Sequence, residues 1–156
     1  MPVDKTTVER EISHLNQPGN PVVEHLQREL CNAMVLYANY KHYHWQTYGP
    51  LFRELHKMFD EFAKEVLETT DELAERIRMI GQDPISGLAE FAQHASVQST
   101  SGTMNMRAMV EEANANSMVV IRGMREGASV ADEHNDPGTT EIFSQFVQIH
   151  EKQEWF

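Results

Sequence analysis

The 156-residue chain carries a formal charge of −11, with apolar residues at 40% and charged residues at 24%. These proportions describe one globular domain able to bury a core, and they exclude a disordered chain. So acidic a surface disfavours phosphate backbones and attracts cations.

A single cysteine, Cys31, excludes an intrachain disulfide framework and fits a reducing compartment. Its apolar helical surroundings make it a buried, inert thiol. The opening Met1-Pro2-Val3-Asp4-Lys5 lacks the basic and apolar regions of a signal peptide. No apolar run approaches the roughly 20 residues that span a bilayer. A soluble cytoplasmic protein without membrane association is the expectation.

In chain order, residues 1–20 read as a polar tail ending in Gln17-Pro18-Gly19-Asn20, with a short helix possible over residues 9–13. Lys5 and Arg10 against Asp4, Glu9 and Glu11 give a net charge of −1 up to Ser13, so this is no basic nucleic-acid arm. Asn20 is a helix N-cap and Pro21 suits the first helical position. The remainder, residues 21–156, forms one bundle. A first long helix runs from Val22 to Tyr48, with Val23, Leu26, Leu30, Met34, Tyr37 and Ala38 at helical spacing. Gly49-Pro50 breaks it. A second spans Leu51 to Ile80 through Leu55, Phe59, Phe62, Val66, Leu73 and Ile77, and Gly81 and Pro84 end it. Leu88, Phe91 and Ala92 mark a short helix inside the crossover that follows. A third long helix starts at Met104 and extends to Arg125, with Gly127 as its terminator. The last covers Thr139 to Phe156 through Ile142, Phe143, Phe146, Ile149 and Trp155. The methionines on these stripes are core filler. The fold class is all-α: a ferritin-like four-helix bundle with a short extra helix in the crossover between its second and third helices.

His44, His56, Asp60, Asp71 and Glu75 form the most informative constellation. At about 100° per residue the last four fall within an arc of about 100° on the second helix. Carboxylates four apart usually mark a solvated face, and Arg76 and Arg78 are placed to relieve the Asp71/Glu75 repulsion. Two imidazoles joined to three acids on one arc point instead to a metal. Imidazole and carboxylate without thiolate suit Fe(II), Mn(II) or Zn(II), and open positions favour iron redox chemistry. Fifteen residues separate His56 from Asp71, about 22 Å along a helix, too far for one metal. Two antiparallel copies of this helix across a two-fold axis would bring His56 and Asp60 of one opposite Asp71 and Glu75 of the other. His44, across the Gly49-Pro50 turn, folds back beside His56.

Tyr43-His44-Trp45, Gly49-Pro50, Phe52, Leu55-His56, Phe59-Asp60-Glu61, Asp71, Ala74-Glu75-Arg76 and Gly81 together resemble the Dps miniferritins, the DNA-binding proteins from starved cells. The resemblance implies a hollow dodecamer that oxidises Fe(II), preferentially with hydrogen peroxide, and stores ferric mineral. It implies two irons per intersubunit site, with His44, His56 and Asp60 from one subunit and Asp71 and Glu75 from its mate. Zinc would compete there. Trp45 resembles an aromatic that intercepts radicals, or serves as a core or interface aromatic. Asp132, Glu133 and Asp136 resemble pore-lining acids at the start of the last helix, or form an ordinary polar loop. The basic tail of DNA-binding relatives is missing, which argues against DNA binding. His42, His94, His134 and His150 lie outside the pattern, and His150 is expected at the surface. The alternatives are a DNA-coating, chromatin-type protein and a di-metal, catalase-like oxidase.

Overall fold

The structure is a computed structural model and describes residues 11–156. Residues 9 and 10 of the expected short helix lie outside that range. Ser13–Leu15 forms a 3-10 turn, and Leu15 is fully buried. The polar segment before Asn20 therefore contributes to the core from its end.

Five α-helices follow, with no strand among the described residues: α1 (Pro21–Gln46), α2 (Phe52–Ile80), α3 (Leu88–His94), α4 (Met106–Glu133) and α5 (Pro137–Trp155). α1 packs most extensively on α2 and α4 on α5; α1 also contacts α4 and α3, and α2 contacts α5. The long helices form the expected bundle, and α3 lies in the crossover. At the start of α1 the Asn20 side chain accepts the Val22 N–H at 2.8 Å, and Pro21 takes the first helical position. α2 ends at Gly81, whose φ of +99° is the left-handed geometry that glycine adopts without strain.

α4 overrides the local rules. It passes through Gly127, the expected terminator, and continues to Glu133. A Cβ at Gly127 would lie 2.7 Å from the Phe143 ring, so this glycine admits an aromatic of α5 into the core. Gly123 plays a similar part for Glu29, whose carboxylate fills the space that a side chain there would need. Trp155, expected on the packed stripe of the last helix, is 79% exposed.

The crossover is fastened to α1 by amides. Gln27 accepts the Ile85 N–H at 2.8 Å and donates to the Asp83 carbonyl at 2.7 Å. Asn32 accepts the N–H groups of Ser96 and Val97, and Asn39 accepts that of Thr100 while donating to the Gln98 carbonyl. Asn32 and Asn39 are seven residues apart and so share a face of α1. Each satisfies backbone that no regular element pairs.

His150 corrects the surface expectation: it is fully buried. It falls on the inward stripe Phe143, Phe146, His150 and Gln153, whose spacing outweighs the polarity of the residue. Cys31 is buried as expected, and burial, with lesser effects of Glu29 and Glu90, pushes its thiol up to about 11. No helix among the described residues is long and apolar enough to cross a membrane.

Candidate metal centre

The hairpin between α1 and α2 brings His44 and His56 together. Gly49 adopts a φ of +81°, and its carbonyl accepts the Phe52 N–H at 3.0 Å, reversing the chain within a few residues. The last turn of α1 thereby faces the first turns of α2. His44 and His56 stack with centroids 3.7 Å apart and rings 20° from parallel, and Phe52 stacks on His56 at 4.9 Å.

Hydrogen bonds fix both imidazoles. His44 Nδ1 lies 2.6 Å from the His56 carbonyl oxygen, and His56 Nδ1 lies 2.9 Å from the His44 carbonyl oxygen. A carbonyl only accepts, so each Nδ1 carries the proton and each Nε2 presents a lone pair. Thr47 supports the pair by donating its hydroxyl to the His44 carbonyl at 3.0 Å. Metal-binding histidines are commonly oriented in this way, the second nitrogen donating to an oxygen.

Asp60, one turn beyond His56, is already engaged. Lys41 Nζ lies 2.7 Å from one carboxylate oxygen and Lys64 Nζ 2.6 Å from the other. Hydrogen bonds from Lys41 and then Lys64 hold this carboxyl far below the usual range. Lys64 was legible in the sequence as an i,i+4 partner, whereas Lys41 comes from the neighbouring helix. Trp45 is exposed, with Lys41 Nζ 6.0 Å from its ring centroid.

Asp71 and Glu75 are exposed and make no hydrogen bond or ion pair among the described residues. The arginines expected to relieve them turn elsewhere. Arg76 pairs with Asp136 at 2.5 Å and donates to Thr139 Oγ1 at 3.0 Å, while Arg78 pairs with Asp83. The two carboxylates, four residues apart, share one face of α2. Among the described residues no group of three or more His, Cys, Asp and Glu is arranged to hold a metal. The structure thus brings His44 and His56 together and leaves Asp71 and Glu75 apart from them on α2.

Asp136 corrects the reading of the acidic loop. It is 1% exposed, caps α5 by accepting the Thr139 N–H, and holds Arg76, so it does not line a solvent channel. Asp132 and Glu133 are exposed and belong to the end of α4, not to the start of the last helix. Of the remaining histidines, His42 lies 2.8 Å from the Gly102 carbonyl and His134 2.8 Å from that of Val130. His94 closes α3.

A ferritin-like domain model matches residues 23–156. The chain is 34% identical over 135 residues to DNA protection during starvation protein 1 of Deinococcus radiodurans, covering 86% of this chain and 65% of that one. The X-ray structure of Dps from Thermosynechococcus elongatus superposes with a TM-score of 0.85 at 41% identity, over 97% of this chain and 90% of that one. The Dps structure from Vibrio cholerae, described as a member of a broad superfamily of ferritin-like diiron-carboxylate proteins, matches with a TM-score of 0.82 at 25% identity, over 96% and 88%. The chain belongs to the Dps family of ferritin-like proteins.

Proposed function

We propose that the chain is a ferroxidase and iron store that oxidises Fe(II) with hydrogen peroxide at sites shared between two subunits. The observation that carries this reading is the reciprocal His44/His56 pair. It presents two Nε2 lone pairs on the α2 side that, 15 residues on, bears the unpaired Asp71 and Glu75. A straight helix separates these sets by about 22 Å, so a second copy of α2, antiparallel across a two-fold axis, completes each site. Phe52 and Leu67 are exposed on the same side of α2 and give such an interface its apolar area.

Iron enters as substrate. His44, Asp71 and Glu75 of the paired subunits are its first ligands, His56 adds the second imidazole, and Asp60 serves a weaker second position. Carboxylates favour Fe(III) over Fe(II), which assists electron loss. The same donors accept Zn(II), which has no redox chemistry and inhibits by occupying the site. Twelve subunits enclose the mineral, and Asp132 with Glu133 supplies negative charge that steers Fe(II) inward. The DNA protection for which the D. radiodurans relative is named is served here by removing iron and peroxide together. A chain of net charge −11 is poorly suited to coating DNA.

Purified protein mixed anaerobically with Fe(II) and then with peroxide tests the reading. Rapid ferric absorbance, retained in a soluble particle of about twelve chains and blocked by Zn(II), is expected. Oxygen evolution from peroxide without ferric product would overturn it in favour of a catalase-like oxidase.

A further inference from the structure

Tyr43 is a fully buried phenol adjacent in sequence to His44. Its hydroxyl donates to Glu112 Oε1 of α4 at 2.5 Å. The ring leans on Phe59 at 5.2 Å and meets Tyr40 edge-on at 6.3 Å. Phe59 follows His56 by three residues and precedes Asp60, so the phenol lies against the inner side of the histidine hairpin. The phenol is fully enclosed by the protein. The carboxylate at hydrogen-bond distance is the available acceptor.

Electron counting gives the pair a use. Peroxide takes two electrons, and Fe(II) supplies one. Both oxygens of Asp60 are held by ammonium groups, whereas the two Nε2 atoms are free donors, so on the ferroxidase reading one position of the centre is loaded first. A singly loaded site that cleaves the O–O bond with iron alone releases a hydroxyl radical.

We propose that Tyr43 supplies the second electron of peroxide reduction at a singly loaded site, with Glu112 receiving the phenolic proton. This inference rests on the ferroxidase reading above. The step balances. Fe(II) becomes Fe(III), the Tyr43 hydroxyl becomes a neutral phenoxyl radical, and its proton moves to the Glu112 carboxylate. The two electrons break the peroxide O–O bond and leave two hydroxide ions. Loss of the proton together with the electron avoids a buried phenol cation, whose desolvation would be prohibitive. No hydroxyl radical is released next to the protein.

Single-turnover freeze-quench electron paramagnetic resonance tests it, on the assembled protein loaded anaerobically with one Fe(II) per site and given one equivalent of peroxide. The expected result is a tyrosyl signal that narrows when the chain contains ring-deuterated tyrosine, with one Fe(III) formed per peroxide. Tyr43→Phe, which preserves the ring, is expected to abolish the signal and raise hydroxyl-radical spin adducts. Tyr40→Phe, an equally buried change, is expected to leave the signal in place. Glu112→Gln, which keeps a hydrogen-bond partner without the proton acceptor, is expected to slow formation of the radical. Iron oxidation at two Fe(II) per peroxide without a tyrosyl signal, a signal that survives Tyr43→Phe, or unchanged kinetics in Glu112→Gln would overturn the proposal and leave the ferroxidase reading intact. A wild-type protein that oxidises no iron would overturn both.

Discussion

His44 and His56 hold each other in place: each ring Nδ1 donates to the other residue's backbone carbonyl, and the rings stack at 3.7 Å. The same two hydrogen bonds close the α1–α2 hairpin and expose both Nε2 atoms. Removing either ring takes away one proposed ligand and the stacking partner of the other ring, whose own hydrogen bond to a backbone carbonyl remains. His44→Ala and His56→Ala are each expected to lower Co(II) or Zn(II) affinity by at least about 10-fold. Calorimetric titration measures this, and wild-type affinity in either variant would contradict the ligand role of that histidine.

Under the proposed function Asp60 is the weak member of the donor set, because Lys41 and Lys64 already neutralise it. Lys64 is largely exposed, so Lys41 is the partner that matters more. Lys41→Met keeps the side-chain length and removes the charge. The Asp60 carboxyl should then move back toward its ordinary range, and metal occupancy should rise from one ion per site toward two. Equilibrium titration with Fe(II) under argon reads the stoichiometry; an unchanged value would mean that Asp60 is no ligand even when free.

Two buried groups shape the pH dependence of stability in opposite directions. Neither His150 ring nitrogen has a hydrogen-bond partner among the described residues, and burial lowers its pKa from 6.5 to about 4. The unfolded chain takes up this proton first. The stability is present above pH 6.5 and is lost as pH falls through 4, up to roughly 3 kcal/mol per subunit. Glu29 is raised from 4.5 to about 7, chiefly by burial. Its contribution is present below 4.5 and lost as pH rises through 7. His150→Leu should flatten the acid limb of a plot of melting temperature against pH, and Glu29→Gln the alkaline limb. A limb unchanged by its own substitution would contradict the assignment.

Gly127 sits in the interior of α4, where alanine is intrinsically favoured by about 1 kcal/mol. Its missing Cβ nevertheless admits the Phe143 ring. Gly127→Ala is expected to destabilise the subunit by about 1–3 kcal/mol through overpacking, despite the gain in helix propensity. Chemical denaturation of the two proteins under one condition decides the sign.

What was legible in the sequence was what local chemistry dictates. The Asn20 cap, the Pro21 start, the Gly81 stop and the 3.6-residue stripes are properties of short windows, and the structure shows them where expected. Gly127 misled because its reason lies in Phe143 of another helix. His150 misled because its polarity was weighed above its place on the Phe143–Phe146–Gln153 stripe. Lys41 could not be paired with Asp60 before α1 and α2 were docked. The roles of Asn32 and Asn39 depend on the crossover lying alongside α1, which no short window of sequence shows. Asp136 looked like a pore acid because a cap and an ion pair leave no mark in composition.

The shared site is tested most directly by mixing two inactive variants. Within a hybrid pair of His56→Ala and Glu75→Ala subunits, one site carries both lesions and the other carries none. Dissociating and co-assembling equal amounts should restore about a quarter of the wild-type rate of peroxide-driven iron oxidation for random pairing. Each variant assembled alone should stay near background. Mixtures no more active than the separate variants, or full activity in either variant alone, would contradict a centre built from two subunits.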